Sequence, residues 1–84
     1  MIKIVYSEVE SPTTAEESID LDRSSGVRAV NTSKTPSLVN ILTVEGIIKS
    51  ITLVGGESMV LKKSLADRVF SQSKYVRISG VSIY

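Results

Sequence analysis

The residues of this 84-residue chain that could do chemistry are few, and their types narrow what that chemistry could be. There is no histidine and no cysteine, which removes the commonest general base and the thiol nucleophile. A serine triad needs the first and a thiol protease the second, so both are excluded. Structural zinc sites draw mostly on the same two residue types, so zinc is not expected either. Ser71-Gln72-Ser73-Lys74 fits a Ser-x-x-Lys pattern, in which the lysine would activate the serine. That chemistry needs a helix in a preformed pocket and further motifs that this chain lacks. With 14 serines present, the spacing arises easily by chance. Paired carboxylates could serve glycoside hydrolysis, but only if held rigidly across a cleft. Six of the nine acids fall within the first 22 residues, and the other three are scattered over turns. Asp20 and Asp22 have the spacing of two calcium ligands, without the further ligands and the closing glutamate of an EF-hand loop. Gly55-Gly56-Glu57-Ser58 lacks the lysine and the following helix of a phosphate-binding loop. The reading is of a protein that is not an enzyme, with no cofactor and no metal, whose work is done by its surface.

That surface is electrically divided. Residues 1–22 carry Glu8, Glu10, Glu16, Glu17, Asp20 and Asp22 against Lys3, whereas residues 23–84 carry nine lysines or arginines against Glu45, Glu57 and Asp67. The overall charge of +1 conceals this split. An acidic leader on a basic body reads either as a solvated loop or as an arm that docks on the basic body of its own or a neighbouring subunit. The candidate interface residues are therefore Glu16, Glu17, Asp20 and Asp22 of the leader, and Lys62, Lys63, Arg68, Arg77 and Tyr84 of the body. Basic residues near Phe70, Tyr75 and Tyr84 would also suit single-stranded nucleic acid on a small barrel. A pI of 8.0 falls short of the strongly basic domains that bind it, and the acidic leader would repel phosphate. Lys62-Lys63 and Arg77 equally fit solvent-facing charges that protect a strand edge.

Stepping from these side chains to the elements that carry them, isoleucine, valine and serine dominate, which favours strands over helices. Ile2, Ile4 and Tyr6 alternate with polar neighbours, predicting a first strand over residues 1–9 that faces a core. Residues 10–18 have almost no apolar content, and residues 10–25 form the long acidic loop or arm, expected to be mobile or ordered by a partner. Thr14 with Glu17 fits a capping box and one helical turn. The β-body, residues 26–84, reads as short strands: Val27 to Thr32, Leu38 to Val44 with Leu38, Leu42 and Val44 on one face, Ile47 to Val54, Glu57 to Lys63, and Tyr75 to Tyr84. Gly55-Gly56 suits a two-residue hairpin with positive φ at both positions. Met59 and Leu61 share one face of the strand that follows. Residues 64–73 read as a connector with a short helical turn over 65–70. Val76 and Ile78 differ in parity from Val81 and Ile83, and a bulge at Gly80 would bring all four to one face. The expectation is a single all-β domain, a small antiparallel β-sandwich or barrel of about six strands with a long acidic N-terminal loop.

A chain this short buries only about 60% of its unfolded surface and commonly leans on disulfides, a metal or a partner. Without cysteine or histidine, a partner chain is the best candidate. No apolar run approaches a membrane span, and the N-terminus lacks the apolar stretch of a signal peptide, so no membrane association and no secretion by that route are expected.

Arg23-Ser24-Ser25-Gly26-Val27-Arg28-Ala29-Val30-Asn31-Thr32-Ser33 resembles the segment that opens the β-domain of small virion proteins of marine tailed phages. Gly55-Gly56-Glu57-Ser58-Met59-Val60-Leu61-Lys62-Lys63 is similar to the turn and strand that follow there. Ser64-Leu65-Ala66-Asp67-Arg68-Val69 resembles their Asp-Arg corner, and Val76-Arg77-Ile78-Ser79-Gly80-Val81-Ser82-Ile83-Tyr84 their closing strand. The likeness covers residues 23–84 and leaves residues 1–22 unmatched. It implies a non-catalytic capsid decoration or cement protein, present in many copies in the virion, assembled in the host cytoplasm and bound across subunits of the major capsid protein. The alternative is a small module that modulates a host protein, with single-stranded nucleic-acid binding as a third reading.

Overall fold

The computed structural model describes residues 2–83, so the candidate interface residue Tyr84 lies outside them. Short segments of alternating apolar and polar residues become seven strands: β1 (Ile2–Glu10), β2 (Gly26–Asn31), β3 (Ser37–Leu42), β4 (Ile48–Leu53), β5 (Ser58–Lys62), β6 (Arg68–Ser71) and β7 (Val76–Ile83). They form two antiparallel sheets, a four-stranded one in the order β1-β7-β2-β5 and a three-stranded one in the order β4-β3-β6. The inward parities interdigitate as one core. Val27 and Ala29 of β2 and Val76 and Ile78 of β7 meet Val39 and Ile41 of β3, Leu53 of β4 and Val69 of β6. Met59 and Leu61 share the inner face of β5 and pack against that core, as their spacing predicts.

Several expectations need correction. Strand β6 occupies the segment read as a connector with a helical turn over 65–70. Residues 64–67 instead form a tight turn, closed by the Asp67 N–H on the Ser64 carbonyl at 3.0 Å and by the Ser64 N–H on Asp67 Oδ2 at 3.0 Å. The chain leaves that turn extended, burying Val69 and Ser71 and turning Arg68 and Phe70 outward. Gly55 and Gly56 make a turn but not a hairpin. Only Gly56 has positive φ (82°), and β4 and β5 lie in different sheets, so the turn is a corner between layers.

Gly80 is not bulged, because β7 pairs with β2 in unbroken register. Val76 and Ile78 face the core, while Val81, on the opposite parity, pairs with Ile4 and Gly26 and is also buried. What demands glycine at position 80 is close approach: a Cβ there would lie 2.7 Å from the Leu21 carbonyl oxygen and 2.8 Å from Tyr6 Cβ. The irregularities lie in β1, between Ile4 and Tyr6 and again between Tyr6 and Val9. They break the expected common face, so Ile4 is 66% exposed while Tyr6 and Val9 pack on the core. The shared face of Leu38 and Leu42 is the outer one, with Val39 and Ile41 turned inward.

The acidic loop is not a free arm. Leu21 is a core residue with 1% of its surface exposed, and Ser18 beside it is equally buried. Leu21, Asp22 and Arg23 hold φ of 55°, 58° and 54°, a run of left-handed backbone. Each such residue costs about 1–2 kcal/mol. Burial of a leucine side chain contributes about 1.5–3 kcal/mol and offsets part of that. Upstream, Thr14 Oγ1 accepts the Glu17 N–H at 3.2 Å, so the capping bond forms, but around a single turn and no helix.

Candidate docking surface

The two long flanks of the sandwich are treated differently, and this asymmetry defines the site. On one flank residues 11–25 join the sheets. The Ser11 N–H bonds the Val76 carbonyl at 2.9 Å, and the Pro12 carbonyl accepts the Ser71 N–H at 2.9 Å. Ile19 and Val69 exchange backbone hydrogen bonds of 3.2 and 2.7 Å along the outer edge of β6. Arg68 Nε donates to the Ser18 carbonyl at 2.9 Å, and Leu21 plugs the core. The other edge on this flank, β1, carries both register shifts, and bulges blunt an edge against further pairing.

The opposite flank has neither device. Strand β4 pairs only with β3 and β5 only with β2, both in unbroken register, leaving two regular edges without strand partners among the described residues. Between them the layers part over a cavity of about 150 Å³ floored by Val39, Ile41, Ile51 and Leu61, with Lys49, Ser50 and Lys62 at its lip. A more polar recess of about 310 Å³ continues from it along Ile41, Lys49 and Lys62 to Lys63, Ser64 and Asp67. Beside the lip, the β3–β4 hairpin presents Val44, 74% exposed, with Ile47 and Ile48. Lys49 and Lys62 are exposed and form no ion pair among the described residues.

The candidate residues separate by what they touch. Lys62 stands at the lip. Lys63 is buried, and its Nζ donates to the carbonyls of Ser64, Leu65 and Asp67 at 3.2, 3.4 and 3.0 Å. Burial lowers its pKa from 10.5; Asp20 and Asp67 oppose that shift and Arg23 adds to it. Its role is to fasten the 63–67 loop, since a hydrogen-bonded buried cation is not free for a partner. Arg68 fastens the acidic segment. Arg77 Nε meets Glu8 Oε2 at 2.9 Å, and Arg28 reaches the same carboxylate at 3.5 Å, on the outer face of the four-stranded sheet. Glu16, Glu17 and Asp22 are exposed on the closed flank and its adjoining loop. Asp20 Oδ1 accepts the Asp22 N–H at 3.1 Å, and among the described residues no group of three acids gathers as metal ligands. The structure thus does not unite the eight described candidates in one patch.

Lys49 is the residue that sequence reasoning missed. It shares parity with Ile51 and Leu53, so alternation would put it in the core, and only an edge position lets its ammonium reach water. Comparison with known proteins finds no matching family model, no similar curated protein and no similar solved structure.

Proposed function

We propose that this chain is a non-catalytic assembly protein that binds other protein subunits through the opening between β4 and β5. In its specific form the proposal makes it a decoration or cement protein of a virus capsid, carried in many copies and bound to the major capsid protein. One observation carries the general reading: the fold shuts one flank with a dedicated segment and leaves two regular edges on the other without strand partners among the described residues, around an apolar cleft. Regular edges with free backbone groups can pair with other chains, and strand addition is a recurrent mode of protein recognition; the lysines on these edges restrict which partner they accept. The virion setting is supported by the resemblance of residues 23–84 to small phage virion proteins.

The test is to band intact particles from an infected lysate and quantify the chain in them. Stoichiometric incorporation, lost in the Lys49→Glu, Lys62→Glu double variant, is the expected result. Recovery only in particle-free fractions refutes the virion reading, and a one-to-one complex with a single cellular protein there would mark a host-factor modulator instead.

A further inference from the structure

We infer that the opening between β4 and β5 is filled by the acidic turn of a second copy of this chain, so that copies associate head to tail. The inference rests on the reading of that opening as a docking surface and names a neighbouring copy as its occupant, which leaves the major capsid protein to be met by another face. The charges are complementary and lie at opposite edges of the three-stranded sheet. Lys49 lies on β4, one edge of the three-stranded sheet, and Lys62 stands across the cleft from it on β5. Glu16 and Glu17 lie in the segment that runs beside β6, at the opposite edge of the same sheet. Both glutamates are exposed and neither forms an ion pair among the described residues.

The turn that presents them is held by hydrogen bonds of its own. The Glu17 N–H bonds the Thr14 carbonyl at 3.2 Å, and the Ser18 hydroxyl donates to the Ala15 carbonyl at 2.6 Å. A preformed turn loses little freedom on docking. The cavity of about 150 Å³ and the polar recess of about 310 Å³ that continues from it give the side chains of a turn an apolar floor with lysines at its lip. Because the two surfaces occupy opposite flanks, each copy can take one neighbour on either side. Such a heterologous contact closes into a ring or continues as a filament.

The experiment is sedimentation of the full chain across concentration, at about 50 mM and about 0.5 M salt, since exposed charge pairs weaken as salt screens them. The wild type should exceed its 9.1 kDa monomer mass at low salt and approach it at high salt. Lys49→Glu with Lys62→Glu, and separately Glu16→Lys with Glu17→Lys, should each weaken association by about tenfold or more through like-charge contact. Mixed, the two double variants should associate again, because each then offers the charge that the other needs. A control variant, Lys34→Glu with Lys74→Glu, has the same net charge as the lip variant but alters the opposite end of the sandwich. It should not pair with the glutamate-reversed variant in this way.

A wild type that stays monomeric under all conditions overturns the inference and assigns the two lysines to edge protection. Association that the lip variant loses and the glutamate variant keeps identifies a different occupant. Equal pairing by the control reduces the effect to net charge. Retained incorporation into particles by a monomeric wild type would leave the proposed function standing while removing this inference.

Discussion

Replacing Leu21 with alanine decides whether the acidic segment belongs to the fold. The side chain is 1% exposed and sits among the core residues of both sheets, with its backbone against Gly80. Truncating a buried leucine costs about 2–5 kcal/mol, the spread reflecting how far the site collapses around the lost volume. Collapse should be limited here, because the Ile19–Val69 bridge and the left-handed backbone at 21–23 hold the segment in place. A loss of about 3 kcal/mol is a large share of the roughly 4–13 kcal/mol expected for a chain of this length. It should lower the melting temperature by about 12–24 °C. The assay is thermal unfolding followed by circular dichroism, with urea denaturation to obtain the free energy. Glu16→Ala and Glu17→Ala, at exposed positions of the same segment, should stay within about 0.5 kcal/mol of wild type. If Leu21→Ala melts as the wild type does, the segment is a detachable arm and the closed flank described above is not a structural element. Deleting residues 1–22 would be a poor substitute, since it removes β1 together with the plug.

Asn31 is fully buried, and its Nδ2 donates to the carbonyls of Thr35 and Leu53 while its Oδ1 accepts the Ser33 N–H and hydroxyl. Asn31→Ala should cost about 2–4 kcal/mol by urea denaturation, because buried partners are left unsatisfied; a neutral result would mean that these bonds do not organise the β2–β3 turn. Gly80→Ala should cost about 1–3 kcal/mol, since the added methyl meets backbone of residue 21 and Cβ of residue 6 rather than a flexible side chain, and unchanged melting would show that the two segments can part there at no cost. Lys63 binds its proton less tightly in the folded chain, so below the ordinary value of 10.5 and above the lowered one the unfolded state holds more protons and stability rises with pH. Measured against Lys63→Met, the wild type should therefore gain stability as pH climbs toward 10.5, and a flat or falling difference would contradict the burial effect.

Much of the body was legible because alternation survives in it. Met59 and Leu61 alternate with Ser58, Val60 and Lys62, and the structure packs them on the core while Val60 faces outward. Other features left ambiguous marks. Gly55-Gly56 demands a turn, yet the same turn serves a hairpin and a corner between sheets, and only contacts distant in sequence choose between them. Gly80 was rightly conspicuous for the wrong reason, since a bulge and a close backbone approach require the same residue. The bulges of β1 have no residue signature, so Ile4 was assigned to the wrong face. In the acidic segment, charge hid Ile19 and Leu21, of which the first bridges Val69 and the second enters the core from left-handed backbone. Of the docking surface, Lys62 followed from alternation. Lys49 did not, because parity places it inward and only the topology shows that its strand is an edge.

The structure also bears on whether the basic body could grip nucleic acid. Of its basic candidates, Lys63 and Arg68 are occupied by backbone carbonyls and Arg77 by Glu8. Among the described residues that leaves Lys49 and Lys62 as the cations of the opening without an ion pair. Each phosphate neutralised on a single strand contributes about −0.7 to the slope of log affinity against log salt. Two lysines therefore support a slope no steeper than about −1.4, with weak binding to match. Fluorescence anisotropy of a labelled oligothymidine across salt concentrations measures it. Absent binding, or a slope that shallow, agrees with a surface meant for carboxylates of another protein. A slope of about −3 or steeper would require cations beyond those at the opening, and would turn the reading from subunit assembly to a nucleic-acid path over another face of the sandwich.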